Sequence, residues 1–427
     1  MQSENQKIDS VSLHNKPFIG GPMSRPIILK GTFFLLLLLT LILAACQRET
    51  VAVPTSTPTT TSTTTNTPSP SATMTPSPTA TATATPTKTA TPTATLAAYG
   101  PTGFPSFINP LTGLPISNPS VLQRLPVLVK VSNFPRGLRP HAGLSFADHV
   151  FEYYIGSGAT RFSAVFYGQD TEQAGPVRSA RLIDVSLGNA YQGILAFASA
   201  DPFVYSRIVN ALDDRAISES SNTCPGLCRT GSGDVNSVFV DTAELTDFAI
   251  EERQVPTAAP VLEGMRFDPV VPDNGEAGNR LEVRYSLAAI SEWRYDVLSG
   301  NYLRWIEDVD AASNVSLVPL TDRLTDEQLA FSNVVVLFAA HTELKPNLHD
   351  IEILANTFGR RAILFRDGQM YELIWKAVGN QPLQFLLADG VTSAPFKPGN
   401  TWFEVVGVNS LVEEATSGEW EADFRIP

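Results

Sequence analysis

The spacing of hydrophobic positions along the chain changes character several times. Residues 33–42 form one apolar run, Phe33-Phe34-Leu35-Leu36-Leu37-Leu38-Leu39-Thr40-Leu41-Ile42, which ends in Leu43-Ala44-Ala45-Cys46. From Val51 to about Ala97 large apolar side chains almost vanish, and Thr, Pro, Ser and Ala take over. Beyond Arg124 they return in short strand-like and helix-like groups. Pro126 to Ser132, with Val-Leu-Val-Lys-Val inside, predicts a strand that closes on the turn Phe134-Pro135-Arg136-Gly137. Ala147–Ile155 and Arg161–Tyr167 predict two more, and Gly156-Ser157-Gly158 between them makes an antiparallel hairpin. Ser179–Tyr191 predicts a helix, Gly193–Ala198 a buried strand, and Pro202–Leu212 a helix with Asp201 at its N-cap. Ser237–Val240 and Asp241–Glu252 add a short strand and an acidic helix. Strands mixed with helices in this order predict an α/β or α+β domain around a mixed sheet.

The pattern then turns to β. Arg253–Asn279 carries Pro256, Pro260, Pro269, Pro272 and Gly275 and is expected to connect two domains. Leu281, Val283 and Tyr285 alternate, and Trp293-Arg294-Tyr295 and Tyr302-Leu303-Arg304-Trp305 flank a turn at Leu298-Ser299-Gly300-Asn301. Thr325-Asp326-Glu327-Gln328 resembles a capping box and predicts a short helix. Asn333–Ala339 is an apolar strand, and Ala362–Arg366 with Met370–Lys376 form a hairpin through Asp367-Gly368. Leu383–Leu387 and Trp402–Val406 complete a mainly antiparallel β domain. The expected domains are therefore an α/β unit over 106–254 and a β-rich unit over 276–427. Trp293, Tyr295, Trp305, Trp375 and Trp402 occupy strand positions where aromatic residues usually pack a core, although such residues can also line a groove for sugar or peptide.

The leader changes the cellular picture. Lys7, Lys16, Arg25 and Lys30 precede an apolar run shorter than the roughly 20 residues a bilayer span needs. Its small residues before Cys46 resemble the lipobox of bacterial lipoproteins. That resemblance implies removal of residues 1–45, attachment of diacylglycerol to the Cys46 thiol, and an extracytoplasmic protein anchored to the bacterial membrane. Residues 46–99 then form a disordered stalk: too few apolar side chains exist to offset the entropy of folding, and the prolines favour an extended spacer.

Charge narrows the partners. The chain carries a formal −13, of which the leader contributes +2 and the stalk +1, so residues 100–427 hold −16. A body that acidic repels nucleic acid over most of its surface. Apart from Cys46, the cysteines are Cys224 and Cys228, separated by Pro225-Gly226-Leu227. An isolated pair in an exported protein more often closes a small disulfide loop than binds metal, and further ligands for a metal are scarce. No zinc, phosphate-loop or nucleophile-elbow motif is legible, so neither metal nor cofactor is expected.

Against the acidic background one segment is basic. Residues 121–181 hold seven Lys/Arg and four Asp/Glu. Arg178 and Arg181 lie three apart at the start of a predicted helix, where free backbone N–H groups and guanidinium groups together suit a phosphate or carboxylate. Asp148 and Glu152 share a strand face, and Arg161 is placed to reach one of them across the hairpin. The same residues also suit an internal arginine–carboxylate clamp.

Several motifs in this part of the chain occur in a known order. They are Asn109-Pro110-Leu111-Thr112-Gly113-Leu114-Pro115, Arg139-Pro140-His141-Ala142-Gly143, Thr160-Arg161-Phe162 and Gly175-Pro176-Val177-Arg178-Ser179-Ala180-Arg181. With Trp293-Arg294-Tyr295-Asp296, Asn333-Val334-Val335-Val336 and Pro398-Gly399-Asn400-Thr401-Trp402-Phe403, the chain resembles the YerB-like lipoproteins over most of residues 109–406. This bacterial family of unknown function has paired N- and C-terminal domains. One departure is Gly233-Asp234-Val235-Asn236-Ser237, where family members tend to carry Pro-His-Asn and only Asn236 keeps the pattern. The expected function is that of an envelope-associated binding module, with Arg161, Arg178 and Arg181 holding an anionic group of a wall polymer or lipid-linked precursor. The rivals are an enzyme of envelope polymer metabolism using the same residues with Asp148 and Glu152, and a purely structural or partner-docking lipoprotein. The sequence sets no oligomeric state.

Overall fold

The computed structural model describes residues 97–231, 234 and 236–426; the expected leader, the lipidation site at Cys46 and nearly all of the expected stalk lie outside the described residues. Strands of three residues or more are numbered in chain order. The first half contributes β1 (Val127–Ser132), β2 (His149–Gly156), β3 (Ala159–Phe166), α1 (Leu182–Ala190), β4 (Ile194–Phe197), α2 (Pro202–Leu212), β5 (Ala216–Ser218), β6 (Leu227–Arg229), β7 (Val238–Val240) and α3 (Thr242–Glu251). The second half contributes β8 (Arg280–Ser286), β9 (Ala289–Asp296), β10 (Asn301–Val309), β11 (Val315–Pro319), β12 (Asn333–Lys345) and β13 (Leu348–Glu352). It continues with β14 (Arg360–Arg366), β15 (Gln369–Lys376), β16 (Gln384–Leu387), β17 (Thr401–Gly407), β18 (Leu411–Thr416) and β19 (Glu419–Asp423).

The main sheet runs in the order β16-β15-β14-β12-β17-β2-β3-β1-β4-β5. It is mixed. β1, β4 and β5 are parallel neighbours, β17 lies parallel to both β2 and β12, and the hairpins are antiparallel. The expected mixed sheet in the first half and the largely antiparallel β structure in the second are both present. What the pattern did not announce is that β17 bridges the halves, with His149 opposite Thr401 and Tyr153 opposite Val405.

Alternation along the strands assigns the two faces. Val127, Val129 and Val131 of β1 join Phe162, Trp402 and Val334 in one core, covered by α3 and by the second sheet through Trp293, Tyr302 and Ile306. That second sheet has the order β11-β10-β9-β8-β19-β18. On the other face Leu128, Tyr153 and Val165 pack against Ile183 and Leu187 of α1 and Val204, Ile208 and Leu212 of α2. Trp293, Trp375 and Trp402 are fully buried, so these three tryptophans are core.

The short helix expected after Thr325 does not form. Residues 321–328 make a turn closed by a bridge between Thr321 and Gln328. Asp322 fixes it, because its carboxylate accepts from the N–H groups of Gly143 (3.0 Å), Ser145 (2.8 Å) and Leu324 (2.9 Å). A tertiary contact with the first half overrides the local capping signal. The proline-rich stretch after Arg253 also packs, with Leu262, Met265 and Phe267 buried. No helix among the described residues is long and apolar enough to cross a membrane.

Candidate functional site

β1 and β4 run side by side from Val127 to Val129 and then part. Residues 176–180 enter between their carboxyl ends. Ser132 N donates to Pro176 O (2.9 Å) and Arg178 N to Lys130 O (2.8 Å) on one side; Ala198 N donates to Arg178 O (3.1 Å) and Ala180 N to Ser199 O (2.8 Å) on the other. The chain then turns into α1. The carboxyl ends of parallel strands in open α/β sheets are where such folds place ligands, because diverging strands leave a crevice there.

This wedge gathers the three arginines. Arg161 lies opposite Ser132 in the β1–β3 register, and its Nη1 donates to the Ser179 carbonyl at 2.5 Å. Arg181, the residue before α1, donates through Nη1 to Ser179 O (3.3 Å) and Ala180 O (3.0 Å). Arg178 Nη2 donates to the Asn236 side-chain oxygen. Among the described residues none of the three forms an ion pair with a carboxylate. The Nε atoms of Arg178 and Arg181 are shielded from solvent and lack a partner among those residues. Burial, then the charges of Arg181 and Arg178, push the Arg161 guanidinium down to about 9. Burial pushes Arg181 down as well.

Below the arginines lies Lys130, fully buried on the helix-side face of β1. Its ammonium is 3.5 Å from Asp184 and contacts the Tyr153 hydroxyl. Asp184 in turn accepts from Tyr153 OH (2.5 Å), Ser163 Oγ (3.1 Å) and the backbone N–H of Arg181 (2.6 Å). One carboxylate thus ties the start of α1 to the sheet. Burial pushes the Lys130 ammonium down to about 7; Asp184 opposes that shift, and Arg161 and Arg181 reinforce it. Asp184 acts on Lys130, Arg161 and Arg181, and Asp201 acts on Arg181 as well, so the cations outnumber the carboxylates that face them among the described residues. In the sequence Lys130 counts only toward the basic stretch of residues 121–181, and neither it nor Asp184 is among the candidate site residues. The available signal was a lone lysine inside Val-Leu-Val-Lys-Val, whose burial requires a partner.

The two expected acidic partners lie elsewhere. Asp148 accepts from Tyr167 N (2.6 Å), Gly168 N (3.0 Å) and Asn109 Nδ2 (2.7 Å), and burial pushes its carboxyl up to about 6. It anchors the loop of the Asn109 motif, beside a cleft of about 500 Å³ that also involves Thr112, Gly399 and Asn400. Glu152 points into the other face of the sheet, where Arg304 donates to it at 2.7 Å and Thr160 at 2.7 Å. The register explains this: Arg161 lies opposite Tyr153, and Glu152 lies opposite Phe162. Alternation therefore sends Arg161 and Glu152 to opposite faces, and the expected contact across the hairpin is not made. The sulfurs of Cys224 and Cys228 come within bonding distance, with Cα atoms 5.0 Å apart.

Fold and site together define a class of two-sheet protein with a cationic wedge at the carboxyl ends of parallel strands. Family comparison agrees with that architecture. The profile described as "Protein of unknown function (DUF3048) N-terminal domain" matches residues 111–255, and the one described as "Protein of unknown function (DUF3048) C-terminal domain" matches residues 281–403. The chain belongs to this family. It is similar to "Putative lipoprotein YerB" of Bacillus subtilis (strain 168), with 28% identity over 309 residues, covering 70% of this chain and 85% of that protein. It is also similar to the crystal structure of the YerB protein from Bacillus subtilis, at 27% identity and a TM-score of 0.56, covering 70% of this chain and 96% of that one.

Proposed function

We propose that this protein is a lipid-anchored, extracytoplasmic binding module whose cationic wedge holds an anionic group of a wall polymer or a lipid-linked precursor. The anchor is supported by the leader ending at Cys46 and by the lipoprotein description carried by its Bacillus relative. The observation that carries the binding reading is the charge imbalance. Arg161, Arg178 and Arg181 gather near buried Lys130, and among the described residues the one ion pair these four cations make is that of Lys130 with Asp184, with Asp201 a further carboxylate acting on Arg181. Converging guanidinium groups that repel one another gain from an oxyanion, and an arginine fork matches its geometry.

A second reading has its own support: Arg161 and Arg181 already donate to the Ser179 and Ala180 carbonyls, as an internal clamp would. Arg181→Lys separates the two, since lysine keeps the charge but loses the fork. Binding of phosphorylated wall fragments is expected to weaken by roughly 10- to 150-fold, the equivalent of about 1.5–3 kcal/mol for a charge-assisted contact. The melting temperature should stay close to wild type. If wild type binds no phosphorylated fragment, and Arg178→Ala or Arg181→Ala instead unfolds the protein, the cluster is a clamp.

A further inference from the structure

The main sheet ends at β5, and the outer side of this strand opens into a groove of about 660 Å³ between α2 and α3. β5 pairs in parallel with β4, and Glu219 N donates to Phe197 O at 2.9 Å. In a parallel ladder alternate residues bond to the neighbour, so Ile217 and Glu219 face β4 while Ala216 and Ser218 present their backbone groups outward. The Ala216 N–H is taken by Asp213 O. The Ala216 carbonyl and both backbone groups of Ser218 have no hydrogen-bond partner among the described residues. An uncovered edge of this kind is a template for another strand.

The groove walls say which strand. Tyr205 and Val209 lie one turn apart on α2 and are 43% and 38% exposed, and Phe248 of α3 stands on the other wall. Around them are the carboxylates of Asp213, Glu244, Asp247, Glu251 and Glu252. The cation among the lining residues, Arg253, is drawn to Asp214 at 3.8 Å. Aromatic faces beside unneutralised carboxylates suit the aliphatic stems and charged heads of lysine and arginine.

We propose that this groove docks an extended basic polypeptide segment, which adds to β5 as a further strand. Backbone groups of Ala216 and Ser218 supply the hydrogen bonds, Tyr205, Val209 and Phe248 supply the apolar contact, and the carboxylates select for positive charge. The proposal is independent of the arginine wedge.

The probe is an end-capped nonapeptide alternating lysine and valine, titrated into the full chain by calorimetry with amide exchange read at Ser218. It should bind, and exchange of the Ser218 amide should slow. The same peptide N-methylated at alternate amides should bind about tenfold or more weakly, since it can no longer donate its backbone hydrogen bonds to the strand edge. An aspartate–valine peptide should not bind. Glu244→Lys combined with Asp247→Lys, both at exposed positions of α3, should weaken the lysine peptide about tenfold or more by reversing the local charge. Three results would each overturn the proposal: no binding of the lysine peptide, equal binding of its N-methylated form, or unchanged exchange at Ser218 in the complex.

Discussion

Removal of the Arg304 guanidinium should destabilise the protein severely, and more so in alkali. Arg304 of β10 is fully buried between the rings of Trp293 (4.9 Å) and Trp402 (5.1 Å). It donates to Glu152 of β2 at 2.7 Å and to Glu404 of β17 at 3.2 Å, joining the second sheet to the main one. Glu404 also accepts from Trp293 Nε1 (2.8 Å), Tyr285 OH (3.0 Å) and Ser291 Oγ. Arg304→Met keeps much of the volume but leaves two buried carboxyl groups without their cation. Breaking a buried pair in this way costs about 3–5 kcal/mol, a large share of the ~5–15 kcal/mol that typically holds a domain folded.

The pH dependence follows from Glu152. Burial, and then the charge of Glu404, raise its carboxyl from the usual 4.5 to about 8, with Arg304 opposing the rise. Between these values the native state keeps a proton that the unfolded chain has released. Stability contributed by this group therefore falls as pH rises through that window. Loss of Arg304 removes the opposing charge, so the penalty in the variant should be larger at pH 8 than at pH 5. Urea unfolding followed by tryptophan fluorescence at both pH values measures it. Adding Glu404→Gln should recover at least ~2 kcal/mol, because the amide oxygen still accepts from Trp293 without a charge to bury. A loss below about 1 kcal/mol at pH 8, or one equal at both pH values, would refute the reasoning.

Three further outcomes are expected. Cys46→Ser should leave the protein soluble or uncleaved, since the diacylglycerol supplies the two chains that stable anchoring needs; membrane partition and intact mass decide it. Thiol titration of non-reduced, denatured protein should find Cys224 and Cys228 joined to each other, and reduction should cost no more than the low end of the ~2–4 kcal/mol usual for disulfides because the loop is so short. Gly143→Ala should destabilise by more than ~1 kcal/mol in thermal unfolding, because Gly143 has φ +83° and an added Cβ would lie 2.4 Å from Gln173 O.

Local sequence was enough for most elements. The strand over β1, the hairpin of β2 and β3, and α2 with Asp201 capping the Phe203 N–H follow from alternation, glycine placement and a short polar side chain before an apolar stripe. The helix expected from Ser179 begins only at Leu182, because residues 176–180 are claimed as a strand-like wedge by β1 and β4. The arginines could be singled out as a basic stretch in an acidic body. Their grouping with Lys130 and Asp184 could not, since those residues meet only when α1 folds back over β1.

The sequence by itself determined a mixed-sheet half and a β-rich half, each written in local spacing and composition, and its leader, Cys46 and polar spacer set the expectation of a lipid-anchored protein. Tertiary structure decided what the charged residues do. Glu152 and Arg161 are nine residues apart on one hairpin, yet a one-residue difference in register sends one to the second sheet and the other to the cationic wedge. Side-chain direction alternates with every residue of a strand, so the face a charge occupies depends on register. Its partner there depends on contacts between segments as distant as Glu152, Arg304 and Glu404.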